Sequence, residues 1–349
     1  MKTLIHIIPT LNNGGAETVL SRLVEEFSLG GIEQFVITLQ GTLSDFHYAT
    51  INKYVTIVDW KTNPEGVKQI ILQNRKAPII AWMYPAIFLV HKLKFRLKTD
   101  HPIFWNIRHS SFRWNQIYQK LALFAFSFYS RLKQPKIIYC SYRAKKVHEM
   151  YFFSKKNSLV IQNRLAKKQN PFPLEVNLPD EKSEPFFLYV GRYDPIKGPK
   201  RLVQITHTFF LQNPGINLKI AGSGWTVDKI PKQIRDRVFL LGNVKNIYPL
   251  YQSAKALLFT SHAEGYPNVL VEAVVSGTPI VGFEAGDSKL ILDNYRFGYS
   301  IKTRSEFIDK LGFVLDNLIS EEEKENEIVR QQKLLDFRKT AQEYLRFIG

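Results

Sequence analysis

Two glutamates, Glu264 and Glu272, stand eight positions apart in the run HAEGYPNVLVEAVVSGTPIV, with a Gly-Tyr-Pro turn between them. An ionised carboxylate only accepts hydrogen bonds, through two oxygens, so a pair facing one crevice suits vicinal hydroxyls such as those of a ribose or a hexose. Upstream, VGRYDPIKG sets Arg192 and Lys197 between a strand end and a helix start. Two cations and helix N-terminal amides then meet where an anion would sit, and a diphosphate fits that place. Taken alone, the two glutamates would read better as helix-start and surface residues. Beside Arg192 and Lys197 the reading as a polar ligand site is the stronger one.

The elements that must position these groups follow from hydrophobic periodicity. Pro267 near the first helical position puts Glu264 just ahead of a helix and Glu272 about a turn and a half inside it. Short apolar or β-branched runs at 4–9, 35–39, 54–58, 78–82, 102–107, 136–140 and 158–162 predict buried strands, and so do those at 186–191, 217–222, 237–242, 255–260 and 279–283. Helical patterns alternate with them. In AETVLSRLVEEFSLGG, Val19, Leu20, Leu23, Val24 and Phe27 share a face and Gly30-Gly31 ends the helix. Further helices are predicted at 198–212, 267–276 and 304–318, and the tail is expected to be helical too, with its EEEKENE run as a solvated helix start favoured by the dipole. Strand and helix in alternation imply parallel sheets.

Three prolines and little periodicity mark 166–184 as a linker. The expected division is an N-terminal Rossmann-like domain over 1–165, the linker, a C-terminal Rossmann-like domain over 185–335, and a C-terminal helix over 336–349 that packs back towards the N-terminal domain. A chain of 349 residues suits two domains of ordinary size. Cys140 is the only cysteine, which excludes a disulfide framework and favours a reducing compartment, so a cytoplasmic protein is expected. The apolar N-terminus is too short to span a membrane and reads as a first strand.

Charge is distributed unevenly. Residues 1–91 carry 7 basic and 7 acidic groups, 92–168 carry 18 and 2, and 169–349 carry 23 and 22, so +16 of the formal +17 falls in one stretch. That pattern is expected where one face meets a polyanion, a membrane or a nucleic acid. HKLKFRLK, SRLKQPK, YRAKK and FSKK are interleaved with LALFAFSFY, which suits an anionic bilayer surface. The competing reading turns LALFAFSFY inward and leaves the lysines to solubilise the protein.

Other chemistries are disfavoured. The GSG of IAGSGW lacks GxGxxG and has no acidic partner at the spacing of a nicotinamide site. His6, His91 and His148 read as structural. No HxxxH or carboxylate cluster points to a metal, and neither metal nor cofactor is expected. Single-strand nucleic-acid binding would use the interleaved basic and aromatic residues but leaves the glutamate and cation runs unexplained; no nucleic-acid partner is expected.

Taken in order, GRYDPIKG, IAGSGW, FLLGNV, EGYPNVLVEA and SGTPIV resemble family 4 of the retaining glycosyltransferases with GT-B fold. IIPTLNNGGAE and VIQNRL resemble the family's opening glycine loop and domain junction more loosely. The resemblance implies a retaining, metal-independent hexosyltransferase whose nucleotide-sugar site lies in a cleft between the domains. It implies that Arg192 and Lys197 neutralise the donor diphosphate, that Glu272 holds the nucleotide ribose and that Glu264 holds hydroxyls of the transferred sugar. Gly265, Tyr266, Pro267, Asn268 and Val269 would border the donor, as would Gly222 and Val244, while Gly14 and Gly15 approach the diphosphate from the other domain. His109, in WNIRHSS, matches a histidine that contacts the sugar near its reacting centre. Arg108 and Arg113 could bind acceptor or simply face solvent. Arg164 stands where the family has glycine, and GFEAGDSK is an uncommon form of the loop after SGTPIV. The expected function is transfer of a hexose or N-acetylhexosamine from a nucleotide diphosphate sugar, UDP favoured, to a lipid-linked, lipopolysaccharide or capsule saccharide at the inner face of a membrane. A sugar-nucleotide epimerase of the same architecture is the alternative, and a phosphorylase is less attractive for want of a cofactor lysine site.

Overall fold

Each of the twelve apolar runs forms a strand. Helices cover both faces of a parallel sheet, and a run buried on both faces needs no polar alternation. The expectation of burial fails for the runs at 54–58, 158–162 and 237–242. Their strands, Thr56–Asp59, Ser158–Val160 and Val238–Gly242, are edge strands without a fully buried residue, because each has a neighbouring strand on one side only. The structure, a computed structural model, describes residues 2–12, 14–40, 45–110, 117–164 and 184–349. The expected linker, Glu184 excepted, and Arg113 lie outside the described residues. The chain divides into two compact units, one of residues 1–163 with 337–349 and the other of 164–336.

The first unit runs β1 (Thr3–Ile8), α1 (Gly15–Leu29), β2 (Glu33–Thr38), α2 (Asp45–Ile51), β3 (Thr56–Asp59), α3 (Pro64–Gln73), β4 (Ile79–Trp82), α4 (Met83–Leu97), β5 (Ile103–Ile107), α5 (Ile117–Lys133), β6 (Lys136–Tyr139), α6 (Tyr142–Met150) and β7 (Ser158–Val160). Its strands are all parallel, in the order β3-β2-β1-β4-β5-β6-β7. Ile5, Ile7, Ile79, Trp105 and Ile137 from the sheet meet Val67, Ile71, Ile87 and Val90 from the helices in one core.

The second unit runs β8 (Phe186–Val190), α7 (Pro199–Gln212), β9 (Asn217–Ala221), β10 (Val238–Gly242), α8 (Tyr248–Ser253), β11 (Ala256–Phe259), α9 (Asn268–Val275), β12 (Ile280–Phe283), α10 (Ser288–Asp293), β13 (Gly298–Ile301), α11 (Arg304–Asp316) and α12 (Glu321–Leu334). Its parallel order is β10-β9-β8-β11-β12-β13. The acidic run is the start of α12, where Ser320 and Glu323 close a capping box and the carboxylates face the positive end of the helix dipole. The last helix, α13 (Phe337–Ile348), belongs to the first unit. Its buried Tyr344 hydroxyl accepts from Asn106 Nδ2 at 2.9 Å, and Thr340 Oγ1 donates to the Gln162 carbonyl at 2.9 Å.

Four histidines of the first unit are held neutral by burial, which pushes His6, His91 and His109 down to about 4 and His148 to about 3. Their neutral rings are used by neighbours: Trp82 Nε1 donates to His6 Nδ1 at 3.3 Å and Trp105 Nε1 to His91 Nε2 at 3.0 Å. In the unfolded chain these rings titrate near about 6.5. As pH falls below that value the unfolded form takes up protons that the folded form refuses until about 4, so stability is lost through this window. Between pH 6.5 and about 5 most carboxylates remain ionised, and the expected result is a thermal midpoint for the first unit that falls by several degrees, read from its tryptophan emission. A midpoint flat over that range would show the rings exposed.

Candidate functional site

In each sheet the strand order reverses once, and the crevice outside the carboxyl ends of the two strands at the reversal is where open α/β sheets bind ligands. In the second unit those strands are β8 and β11. VGRYDPIKG leaves β8, and the segment bearing Glu264 leaves β11, so the topology alone brings the two runs together.

The loop after β8 closes in a single 3₁₀ turn at Pro195–Lys197, capped by Asp194, whose carboxylate accepts from the Ile196 amide at 3.0 Å. It is laced to the neighbouring segment. The His262 amide donates to the Ile196 carbonyl at 2.7 Å, Thr260 Oγ1 donates to the carbonyls of Lys197 and Gly198 at 3.2 and 3.1 Å, and the buried Tyr189 hydroxyl donates to Lys197 O at 3.1 Å. Gly198, at φ +68°, faces the Thr260 carbonyl so closely that an ideal Cβ would overlap it.

These bonds place the Lys197 ammonium 2.6 Å from Glu264 Oε1, with side chains 28% and 13% exposed, and Ser261 Oγ donates to the same oxygen at 2.9 Å. Arg192 is 63% exposed, and its ion pair, at 3.4 Å, is with Asp194. Glu272 is the fifth residue of α9; its Oε2 accepts from the buried Tyr251 hydroxyl at 3.1 Å. Burial and that carboxylate together hold the Tyr251 hydroxyl well above the ordinary tyrosine range, so it stays a donor. Nothing in the sequence marks Ser261 and Tyr251, since a lone serine and a lone tyrosine carry no spacing signal; the fold brings their hydroxyls to the two glutamates.

The other expected donor contacts fall in two groups. Pro267 is the N-cap of α9 and Asn268 its first residue, with Val269 next; Gly265 accepts from the Asp287 amide at 3.2 Å. Gly286, at φ +64°, lies against the carbonyls of Glu264 and Gly265, so the unusual GFEAGDSK loop is seated directly on the glutamate segment. Tyr266 is buried, and burial raises its hydroxyl above the ordinary range. Gly222 and Val244 lie beyond β9 and β10; Gly222 packs against the Gly191 carbonyl at the start of the loop carrying Arg192, and its amide donates to Gly242 O at 2.7 Å, which ties the ends of β9 and β10. In the first unit, Gly14 caps α1 in extended backbone and Gly15 is the first residue of α1, just beyond β1, one of the two strands at that sheet's own reversal. His109 follows β5, with its ring 5.2 Å from Tyr84 and 5.3 Å from His148. Arg108 bonds Asn163 Oδ1 and the Tyr344 hydroxyl within the same unit, so it is engaged with protein.

Residues 174–334 match the family of glycosyl transferases group 1. Among curated relatives, the poly(glycerol-phosphate) alpha-glucosyltransferase of Bacillus subtilis is 31% identical over 157 residues, 43% of this chain and 23% of the relative. The poly(ribitol-phosphate) alpha-N-acetylglucosaminyltransferase of Staphylococcus aureus is 28% identical over 138 residues, 37% of this chain and 28% of the relative. An uncharacterised glycosyltransferase of Haemophilus influenzae is 24% identical over 180 residues, 49% of this chain and 47% of the relative. The matched segment thus spans less than half the length of each of these three. Among solved structures, Anabaena HepE in complex with UDP and glucose aligns over 99% of both chains at 15% identity and a TM-score of 0.77. The lipopolysaccharide outer core galactosyltransferase WaaB aligns over 100% of this chain and 99% of its own at 18% identity and 0.70. At such identities the likeness concerns the fold, which extends over the whole chain. Residues 174–334 therefore resemble the group 1 glycosyl transferases, and the fold of the whole chain is that of the GT-B glycosyltransferases.

Proposed function

We propose that the protein is a retaining glycosyltransferase that moves a hexose or N-acetylhexosamine from a nucleotide diphosphate sugar, UDP favoured, to a saccharide acceptor, lipid-linked or of lipopolysaccharide or capsule type. The observation that carries the reading is the Lys197–Glu264 contact at the β8/β11 reversal, with Glu272 held on the adjoining helix. One cation for phosphate oxygens and two carboxylates for hydroxyls are the groups that a sugar joined to a nucleotide through a diphosphate requires. The poly(glycerol-phosphate) alpha-glucosyltransferase and the poly(ribitol-phosphate) alpha-N-acetylglucosaminyltransferase among the relatives support the class of sugar transferred, the UDP and glucose held by HepE support the donor, and the lipopolysaccharide outer core galactosyltransferase WaaB supports the acceptor class.

In the reaction the bond between the anomeric carbon and the diphosphate oxygen breaks and its electron pair stays on that oxygen. Lys197, with Arg192, stabilises the charge as it develops. The acceptor hydroxyl oxygen bonds to the anomeric carbon on the same face, and its proton passes to the departing oxygen, so the reading needs no dedicated base and no metal. Stereochemical retention rests on the family resemblance. Glu264 and Glu272 act by binding, one on the sugar hydroxyls and the other on the ribose.

The same reading sets the enzyme at the inner face of a membrane through the basic stretch 92–168; among the described residues no helix is long and apolar enough to cross one. A thermal-shift panel of UDP- and GDP-sugars tests the donor. A ligand at about 100 times its dissociation constant stabilises the folded form by about 2.7 kcal/mol, a shift of a few degrees. UDP-sugars are expected to raise the midpoint more than GDP-sugars. No shift with any nucleotide sugar would overturn the reading, and release of epimerised free sugar from donor alone would replace it with an epimerase.

A further inference from the structure

LALFAFSFY neither packs wholly inward nor lies wholly on the surface. Strands β4, β5 and β6 stand side by side in chain order, so right-handed crossovers put α4 and α5 on one face of the sheet. They touch there: Tyr84 stacks on Phe126 at 5.0 Å, and the Tyr129 hydroxyl meets His91 Nδ1 at 3.1 Å. The inward stripe of α4 is Ala86, Ile87, Val90 and Leu93, and Leu123 serves α5. The outward stripe is apolar too. Phe88 and Phe95, two turns apart on α4, and Leu121, Phe124, Phe128 and Leu132, at helical spacing on α5, are between 63% and 86% exposed. Arg131 Nε donates to the Phe152 carbonyl at 2.7 Å, which brings an exposed phenyl from the turn after α6 to the same end of α5.

Single exposed hydrophobics are ordinary on a protein surface, but a patch spread over adjoining helices marks a place that something covers. Its surroundings say what. From Met83 to Arg164 the chain holds sixteen lysines and arginines against two acids, Asp100 and Glu149, and Glu149 is already 3.9 Å from Lys145. A second copy of this face would set cation against cation. A nucleic acid would supply phosphates but would leave Leu121 and Leu132 with nothing apolar to enter. Anionic lipid offers both headgroup charge and an acyl layer beneath it.

We propose that the outer faces of α4 and α5 insert their phenyl and leucyl side chains into an anionic bilayer, with the surrounding cations on the headgroups. The proposal rests on the membrane part of the reading above and adds that the contact is made by insertion and not by charge alone. The test sediments the full chain with vesicles of phosphatidylcholine alone or mixed with phosphatidylglycerol, at about 0.1 M and about 1 M salt, between which the Debye length falls from about 10 to about 3 Å. The parent is expected to bind the anionic vesicles and to keep a measurable fraction bound at the higher salt. Phe95→Ser/Phe124→Ser/Phe128→Ser, which removes solvent-facing groups only, is expected to bind at least about tenfold more weakly, with its UDP thermal shift unchanged. In Phe128→Trp, brominated acyl chains should quench the new indole. Binding by the triple variant within twofold of the parent, or an unquenched indole, overturns insertion and leaves an electrostatic contact. A parent that ignores both vesicle types overturns the membrane reading while leaving the transferase reading intact. Self-association abolished by the triple variant, or preference for an oligonucleotide, also overturns the proposal.

Discussion

Lys197→Ala is expected to slow transfer about 10²- to 10³-fold, equivalent to about 2.7–4 kcal/mol of activation free energy, the cost of deleting one preorganised donor to a developing oxyanion. The ammonium is largely shielded, and the backbone of the loop that carries it is held by the Tyr189 and Thr260 hydroxyls and the His262 amide. In the proposed reaction its position would therefore need no reorganisation as the diphosphate leaves. The substitution also leaves the Glu264 carboxylate, 13% exposed, with the Ser261 hydroxyl but without its cation, so a rise in donor KM should accompany the fall in kcat. Arg192→Ala acts on the same charge from a side chain 63% exposed, where water screens it, and the smaller loss is expected there. Steady-state kinetics on the two variants, with circular dichroism to show each is folded, decides the matter. A folded Lys197→Ala enzyme with near-parental rates would remove the diphosphate assignment.

Gly198→Ala should be nearly as damaging by a different route. The residue ends the 3₁₀ turn and caps α7 at φ +68°, and an added methyl would overlap the Thr260 carbonyl, a backbone group that cannot swing away as a side chain could. Left-handed strain alone costs about 1–2 kcal/mol; with the overlap, a loss on the order of 3 kcal/mol in the stability of the second unit is expected. Because the shift needed to relieve it parts the loop after β8 from the segment after β11, donor affinity should fall with it. Gly312→Ala is the control. That residue lies in α11 with open space around its would-be Cβ, and the same chemical change there should stabilise the protein by about 0.5–1 kcal/mol. Chemical denaturation with and without UDP separates the two positions.

Much of this architecture was legible in the residues because fully buried parallel strands are written as plain apolar runs. β13 was not. Gly298 and Ser300 give GYSI no β-branched character until its final isoleucine, and the segment is a strand only because β12 offers an edge, pairing Ile280 with Gly298 and Phe283 with Ile301. The helix starts predicted at 16, 198, 267 and 304 fall within a residue of those of α1, α7, α9 and α11, whereas α11 stops at Asp316 where periodicity ran on to 318. For the candidate site, the spacing of Glu264 and Glu272 pointed to sugar hydroxyls and that of Arg192 and Lys197 to an anion. That Lys197 meets Glu264 directly while Arg192 turns to Asp194 depends on which strands are neighbours, and local spacing does not contain that information. The outward phenyls of α5 were hidden for a related reason. LALFAFSFY is apolar on every face, so its pattern could not say which side the sheet would take.

The assignment of α13 to the first unit bears on how the protein is made. Asn106 waits for a hydroxyl 238 positions later in the chain, so the half of the molecule that leaves the ribosome first can be completed only after the entire intervening half has emerged. A domain whose closing helix arrives so late must persist through synthesis with that flank bare, while the later-made half, whose strands are contiguous in sequence, is free to fold ahead of it. Premature termination anywhere after residue 336 would therefore injure the part of the protein furthest from the break in sequence.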